Sequence, residues 1–262
     1  MEYFILEQLD YGPKVEIIIN PYVNEGLYII SKDIEENGNK FYLFKDINDK
    51  IKNNVINEKD LINNKNLVIS LNELDIISKI LDIKDLHFGN FGFLEDKNII
   101  GDEKYNNIKI IYFIPSNNKN NCNCYNAVLS RQTNGIDLTD ENIIGRIIFY
   151  SHNNNNNNKI QILTEAFQKM KNKIKDKNLK DILEKCLNRL INILETERGN
   201  KSDEIILMGP KEFRKRKNYE FLGFQNMDSN KPYYYPNIKS ELESYIQNII
   251  NNFNDIENNL IK

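Results

Sequence analysis

The spacing of apolar residues in the back half is the strongest constraint on this chain. Leu163, Ala166, Phe167, Met170 and Ile174 recur at intervals of three and four. Leu179, Ile182, Leu183, Cys186, Leu187, Leu190, Ile191 and Leu194 do so again. Only an α-helix brings such positions onto one stripe, so two helices are predicted between Ile160 and Leu194, parted by the polar stretch KDKN at 175–178. A third is predicted over Ser240–Leu260, with Leu242, Tyr245, Ile246, Ile249, Ile250, Phe253 and Leu260 on one side. Ser240 and Glu243 have the spacing of a capping box at its start. Each stripe must be buried against another element, so the back half predicts a packed helical layer.

The front third has a different period. Val15–Asn20 (VEIIIN) and Gly26–Ser31 (GLYIIS) are β-branched runs either side of Asn24-Glu25-Gly26, which reads as a hairpin. Phe41–Phe44 fits a further strand, and Ile108–Ile114 a buried one. Glu2–Leu9 fits a short helix, stopped by Gly12 and Pro13. Leu71–Leu81 fits a longer one. Residues 46–66 are polar and Asn-rich and read as a loop or surface insertion. Asn153–Asn158 reads as a solvated loop, and so do residues 115–126. Ile143–Tyr150 fits strand or helix. The sum is an α+β fold, strand-rich in front and mostly helical behind, with no Gly/Ser/Pro linker to divide it.

The chain holds 45 Asn and 41 Ile among 262 residues. Both have A/T-rich codons, so the Asn runs reflect the genome before they reflect function. The net charge of -3 argues against nucleic acid and anionic membrane as partners. Lys211–Lys217 (KEFRKRK) is a dense basic cluster that reads as a solvated face. Cys122-x-Cys124 is too short for a zinc knuckle and Cys186 stands apart, so reduced thiols are expected. No apolar run approaches 18 residues and the start lacks a basic n-region, which predicts neither a membrane span nor a signal peptide. A cytoplasmic protein, in its own cell or a host's, is the expectation.

One short stretch carries chemistry. Ile83–Phe93 reads IKDLHFGNFGF. Asp85 and Asn90 lie five residues apart on a loop leaving a helix, where both side chains can serve one site. Phosphoryl transfer needs such a pair: a carboxylate to position or deprotonate the acceptor hydroxyl, and an amide oxygen to hold magnesium.

IKDLHFGNFGF resembles the catalytic loop of the protein-kinase-like superfamily, in the D-L-H-x-G-N form of aminoglycoside and choline phosphotransferases. IKIIYF, Ile108–Phe113, is similar to the strand that ends in the metal-binding D-F-G segment, with Tyr112 at the place of the Asp. EYFILEQLDYGPKVEIIIN followed by GLYIISKDI resembles the stretch from the αC helix through strands four and five to the hinge. The resemblance covers roughly residues 1–114. It implies Asp85, His87 and Asn90 as catalytic positions, His87 as the brace of the loop, and Asn90 as the metal ligand. It places Glu2 at the αC glutamate, Lys32 in the hinge at 31–34, and Tyr112 at the nucleotide-metal position. Residues 1–45 would be the remnant of an N-lobe, and 46–262 a helical C-lobe-like region with Asn-rich insertions.

The departures from the family are as informative. The sequence opens at the αC position, with no glycine-rich loop and no strand-three lysine before it, and an A-P-E segment is absent. The resemblance therefore implies a truncated, catalytically inactive kinase-like protein that acts by binding or inhibiting a partner, or as a homodimer, through its N-terminal sheet edge. On that reading no cofactor is expected. ATP and magnesium would enter only in an active phosphotransferase completed by the back half or by a partner. An unrelated α+β interaction protein is the third reading.

Overall fold

The computed structural model describes residues 1–19, 27–35, 39–84, 86, 89–95, 105, 107–111, 114–115, 126, 128, 156–174, 178–198 and 235–261. The architecture is α+β. Helix α1 (Glu2–Gln8) leads into the hairpin β1 (Val15–Ile19) and β2 (Leu27–Ser31), paired antiparallel with Val15 opposite Ser31. Strand β3 (Lys40–Leu43) comes next, then α2 (Phe44–Lys52), α3 (Glu58–Ile62) and α4 (Lys65–Ile80). Four short strands succeed them: β4 (Ile83–Lys84), β5 (Phe91–Glu95), β6 (Ile108–Ile110) and β7 (Ile114–Pro115). The rest is helical: α5 (Asn156–Ile174), α6 (Leu179–Arg198) and α7 (Tyr235–Leu260).

Helix α4 is the axle. It is buried nearly all round: Leu67, Leu71, Leu74, Ile76, Ile77 and Ile80 are enclosed, and so are the polar Ser70, Asn72, Glu73, Asp75, Ser78 and Lys79. Asn64 caps it, its side chain accepting from Leu67 N–H at 3.0 Å. Helix α5 packs along one flank, α7 along another, and β6 meets a third. Phe167 of α5 and Phe253 of α7 meet with ring centroids 5.1 Å apart. The sheet β3-β5-β6 is antiparallel, and Phe44, Phe91, Phe93 and Tyr105 form an aromatic chain beneath it. One apolar cluster runs from Met1 to Leu260.

The structure corrects four expectations. Residues 46–66 are not a loop: α2 and α3 occupy most of them, with Ile47 and Leu61 buried. Phe44, Ile47 and Ile51 carry a helical stripe that the lysines and asparagines between them disguise, and Asn57 caps α3 by accepting from Lys59 N–H at 3.0 Å. The last part of the asparagine run is helical rather than loop, because α5 begins at Asn156, and 153–155 lie outside the described residues. Ser240 lies inside the last helix rather than at its cap. That helix begins at Tyr235, with Pro236 in the first turn where its missing N–H costs no bond, and the Ser240 carbonyl accepts from Ser244 Oγ at 2.8 Å. Helix α4 also starts earlier than Leu71. Ile143–Tyr150, Lys211–Lys217, Cys122 and Cys124 lie outside the described residues.

Candidate functional site

Two turns carry the chain into the D-L-H-F-G-N segment. The last carbonyls of α4 are unpaired within the helix, and α7 supplies donors for them: Tyr245 Oη donates to Leu81 O at 2.9 Å and Asn252 Nδ2 to Ile80 O at 3.2 Å. Asp82 then adopts φ 50°, a left-handed turn that aspartate tolerates better than most side chains, and directs the chain into β4.

Two strand pairs grip the segment beyond this turn. Ile83 and Lys84 pair antiparallel with Pro115 and Ile114. Phe91, Gly92 and Phe93 pair with Ile110, Lys109 and Ile108. The link closest to the loop is Ile111 N–H donating to Asn90 O at 2.8 Å. The connection 85–90 and the connection 111–113 are therefore joined at both of their ends. Leu86 and Asn90 are buried and fix the loop to the core from within. Gly92 is required here, because a Cβ at this position would lie 2.1 Å from the Tyr42 carbonyl oxygen of β3.

Of the positions singled out from sequence, Asp85, His87 and Tyr112 lie outside the described residues. Asn90 sits at the mouth of the paired strands, 5 % exposed. Glu2 is buried in α1, its carboxylate 3.3 Å from the Met1 amine nitrogen and beside the Tyr245 hydroxyl. Lys32 is exposed beyond β2, its Nζ 4.0 Å from Glu16, and its N–H donates to Lys14 O at 2.8 Å. No described contact joins Glu2, Lys32 and Asn90.

A second polar cluster had no sequence signal. Glu73 of α4 is fully buried. The Tyr11 hydroxyl donates to its Oε1 at 2.6 Å, Lys169 Nζ lies 2.9 Å from its Oε2, and Lys173 Nζ lies 3.3 Å from Oε1. Lys173 also sits over the Tyr11 ring, 3.8 Å from its centroid. Lys169 donates to Ser70 Oγ at 2.7 Å, and Ser70 in turn to the Tyr105 carbonyl at 2.7 Å. Lys109 pairs with the Asp10 carboxylate and donates to its carbonyl at 2.8 Å. Burial pushes Tyr11 well above its ordinary range, with Glu73 adding to it. Burial lowers Lys173 to about 8, opposed by Glu73 and helped by Lys109 and Lys169. Tyr11 thus stays a hydrogen-bond donor, while Lys173 can change charge near neutral pH.

Strand β6 connects the two places. Lys109 holds Asp10, Ile110 N–H donates to Tyr11 O at 2.6 Å, and Ile111 N–H reaches Asn90. Asp10 has φ 58° and ends α1, with Tyr11 N–H and Gly12 N–H both donating to Leu6 O. The N-terminal turn is therefore seated on the strand that leads into the 111–113 connection. Among the described residues no group of three His, Cys, Asp or Glu could hold a metal, and no helix is long and apolar enough to cross a membrane. The chain matches no protein-family model, no curated protein and no solved structure.

Proposed function

We propose that this chain is a kinase-like protein that no longer transfers phosphate and acts by binding another protein. The observation that carries the reading is the double pairing of connections 85–90 and 111–113, with Ile111 N–H on Asn90 O at 2.8 Å. The resemblance of D-L-H-F-G-N to a catalytic loop, and of IKIIYF to a metal-carboxylate strand, requires those two connections to be neighbours. An unrelated α+β domain has no such requirement.

Inactivity follows from Tyr112. Magnesium prefers hard, anionic oxygen ligands in near-octahedral array, and a neutral phenol is a poor substitute for the expected aspartate. Losing one charged contact to a reacting phosphate costs on the order of 10²–10³ in rate. Glu2 supports the same conclusion: its carboxylate is enclosed beside Tyr245 and the Met1 amine.

Thermal melting with ATP, with and without magnesium, tests the proposal. A ligand at its dissociation constant stabilises by about 0.4 kcal/mol. The expected result is no magnesium-dependent shift at millimolar ATP and no transfer of labelled phosphate. A shift that needs magnesium and vanishes in Asp85→Ala would make the protein an active phosphotransferase instead.

A further inference from the structure

The turn after α1 closes over a cluster with more ammonium groups than carboxylates. Lys109, Lys169 and Lys173 share Asp10 and Glu73. Asp10 is taken by Lys109, which also donates to the Asp10 carbonyl. Glu73 Oε1 accepts from the Tyr11 hydroxyl at 2.6 Å, and Lys169 lies 2.9 Å from Glu73 Oε2 and donates to Ser70 Oγ at 2.7 Å. Lys173 is left with a 3.3 Å approach to Oε1 and with the Tyr11 ring. Its Nζ is sealed from water and makes no hydrogen bond among the described residues. On α7, Glu257 pairs with Lys171 instead. Lys173 is therefore the surplus cation, the ammonium whose burial is least compensated.

Tyr11 is part of its cover. The ring lies against Lys173 Nζ, and the turn that carries it reaches the surface, since Asp10 is exposed. Three links seat the turn: the Tyr11 hydroxyl on Glu73, Asp10 on Lys109, and Tyr11 O on the Ile110 N–H at 2.6 Å. The N–H groups of Tyr11 and Gly12 both donate to Leu6 O, so the turn can lift with α1's end without unpairing them. Lifting it uncovers Lys173 Nζ. A charged ammonium gains hydration from that movement, and a neutral amine gains little.

We propose that the turn Asp10–Gly12 is a pH-sensitive latch on β6, seated when Lys173 is neutral and released more often when it is charged. Release leaves β6 bonded along its β5 side, among the described residues, just before the 111–113 connection. In the seated turn Lys173 gives up its proton at about 8, and in water it keeps it to about 10.5. Between those values the released state binds more protons, so seating strengthens as pH rises through them. From pH 7 to 9 the released fraction falls about tenfold. The latch is independent of the kinase-like reading.

Amide hydrogen exchange in the full chain, followed by NMR and divided by the intrinsic rate at each pH, tests the latch. The Ile110 amide is the reporter, because its acceptor belongs to the turn. Its protection should rise about tenfold from pH 7 to 9. It should also exchange faster than the Met170 amide in the core of α5, since the turn lifts without the whole fold opening. Lys173→Met has no proton to lose and should flatten the profile. Lys169→Met leaves Glu73 to Lys173 alone and should move the rise above pH 9, which keeps the test open if Lys173→Met does not fold. Equal protection at pH 7 and 9 in the wild type would overturn the proposal. So would a rise retained in Lys173→Met, a rise unmoved in Lys169→Met, or Ile110 exchanging only as slowly as Met170.

Discussion

Lys173 Nζ stands 3.3 Å from Glu73 Oε1 and 3.8 Å from the centre of the Tyr11 ring, held between a carboxylate and a π face inside the helical layer. Its charged form is opposed by burial and by the ammonium groups of Lys109 and Lys169, and favoured by Glu73 and Asp10. The folded chain releases this proton at about 8, whereas the unfolded chain keeps it to about 10.5. Between those values the unfolded state binds more protons, so this group's contribution to stability rises with pH. Urea unfolding from pH 7 to 10 should show wild type gaining on Lys173→Met by up to about 2–3 kcal/mol across that window. Parallel curves for the two proteins would mean that Lys173 is not held in this environment.

Glu73 is the only carboxylate that meets both Lys169 and Lys173 among the described contacts. Glu73→Gln keeps the shape and removes the charge that balances them. Breaking a buried pair from one side costs about 3–5 kcal/mol. Calorimetry should show a loss of that order, partly recovered when Lys173→Met is added, because the second change removes one of the stranded ammonium groups.

Gly92→Ala would drive a Cβ into the Tyr42 carbonyl at 2.1 Å and the Phe41 ring at 2.8 Å. Backbone cannot yield there without parting β3 from β5. A loss of about 2–4 kcal/mol is expected, and hydrogen exchange should locate it in Lys40–Leu43 and Phe91–Glu95.

Tyr245→Phe removes the donor to Leu81 O at the end of α4. A single bond of this kind contributes about 1 kcal/mol. Exchange of the amides in β4 should rise more than that in α5, because Leu81 immediately precedes the Asp82 turn.

Tyr112→Asp restores the carboxylate that the kinase-like reading expects. The variant should gain a magnesium-dependent melting shift with ATP that the wild type lacks, and Asp85→Ala should cancel it. A variant that melts normally and gains nothing would separate the D-L-H-F-G-N resemblance from phosphate chemistry.

Much of this architecture is legible in the chain itself. Periodicity finds α1, α4, α5, α6 and α7, and β-branched runs find β1, β2 and β6, because these elements bury a continuous apolar face. The α2–α3 region escapes because its apolar residues, Phe44, Ile47 and Ile51 in α2 and Leu61 and Ile62 in α3, are dispersed among charged residues and asparagines, although Asn57 and Asn64 mark helix starts. The Glu73 cluster is beyond such reading. Lys169 and Lys173 look like the solvated side of an amphipathic helix, and their partner lies about a hundred positions away. Nothing local distinguishes a lysine facing water from one facing a buried carboxylate. The pair of Glu7 with Arg189, 2.7 Å apart, is hidden for the same reason, since the two meet only when α1 and α6 do.

The paired connections also have a kinetic consequence. Joining Lys84 to Ile114 directly would close a loop of all the residues from 85 to 113. If the β5–β6 hairpin forms first, Asn90 and Ile111 are already together, and the loop still to be closed between Lys84 and Ile114 is much shorter. The entropic cost of closure is smaller for a shorter loop, so β4 and β7 zip up after the hairpin at little further cost. The β4–β7 pair should therefore form after the β5–β6 hairpin on folding and part before it when the region is strained.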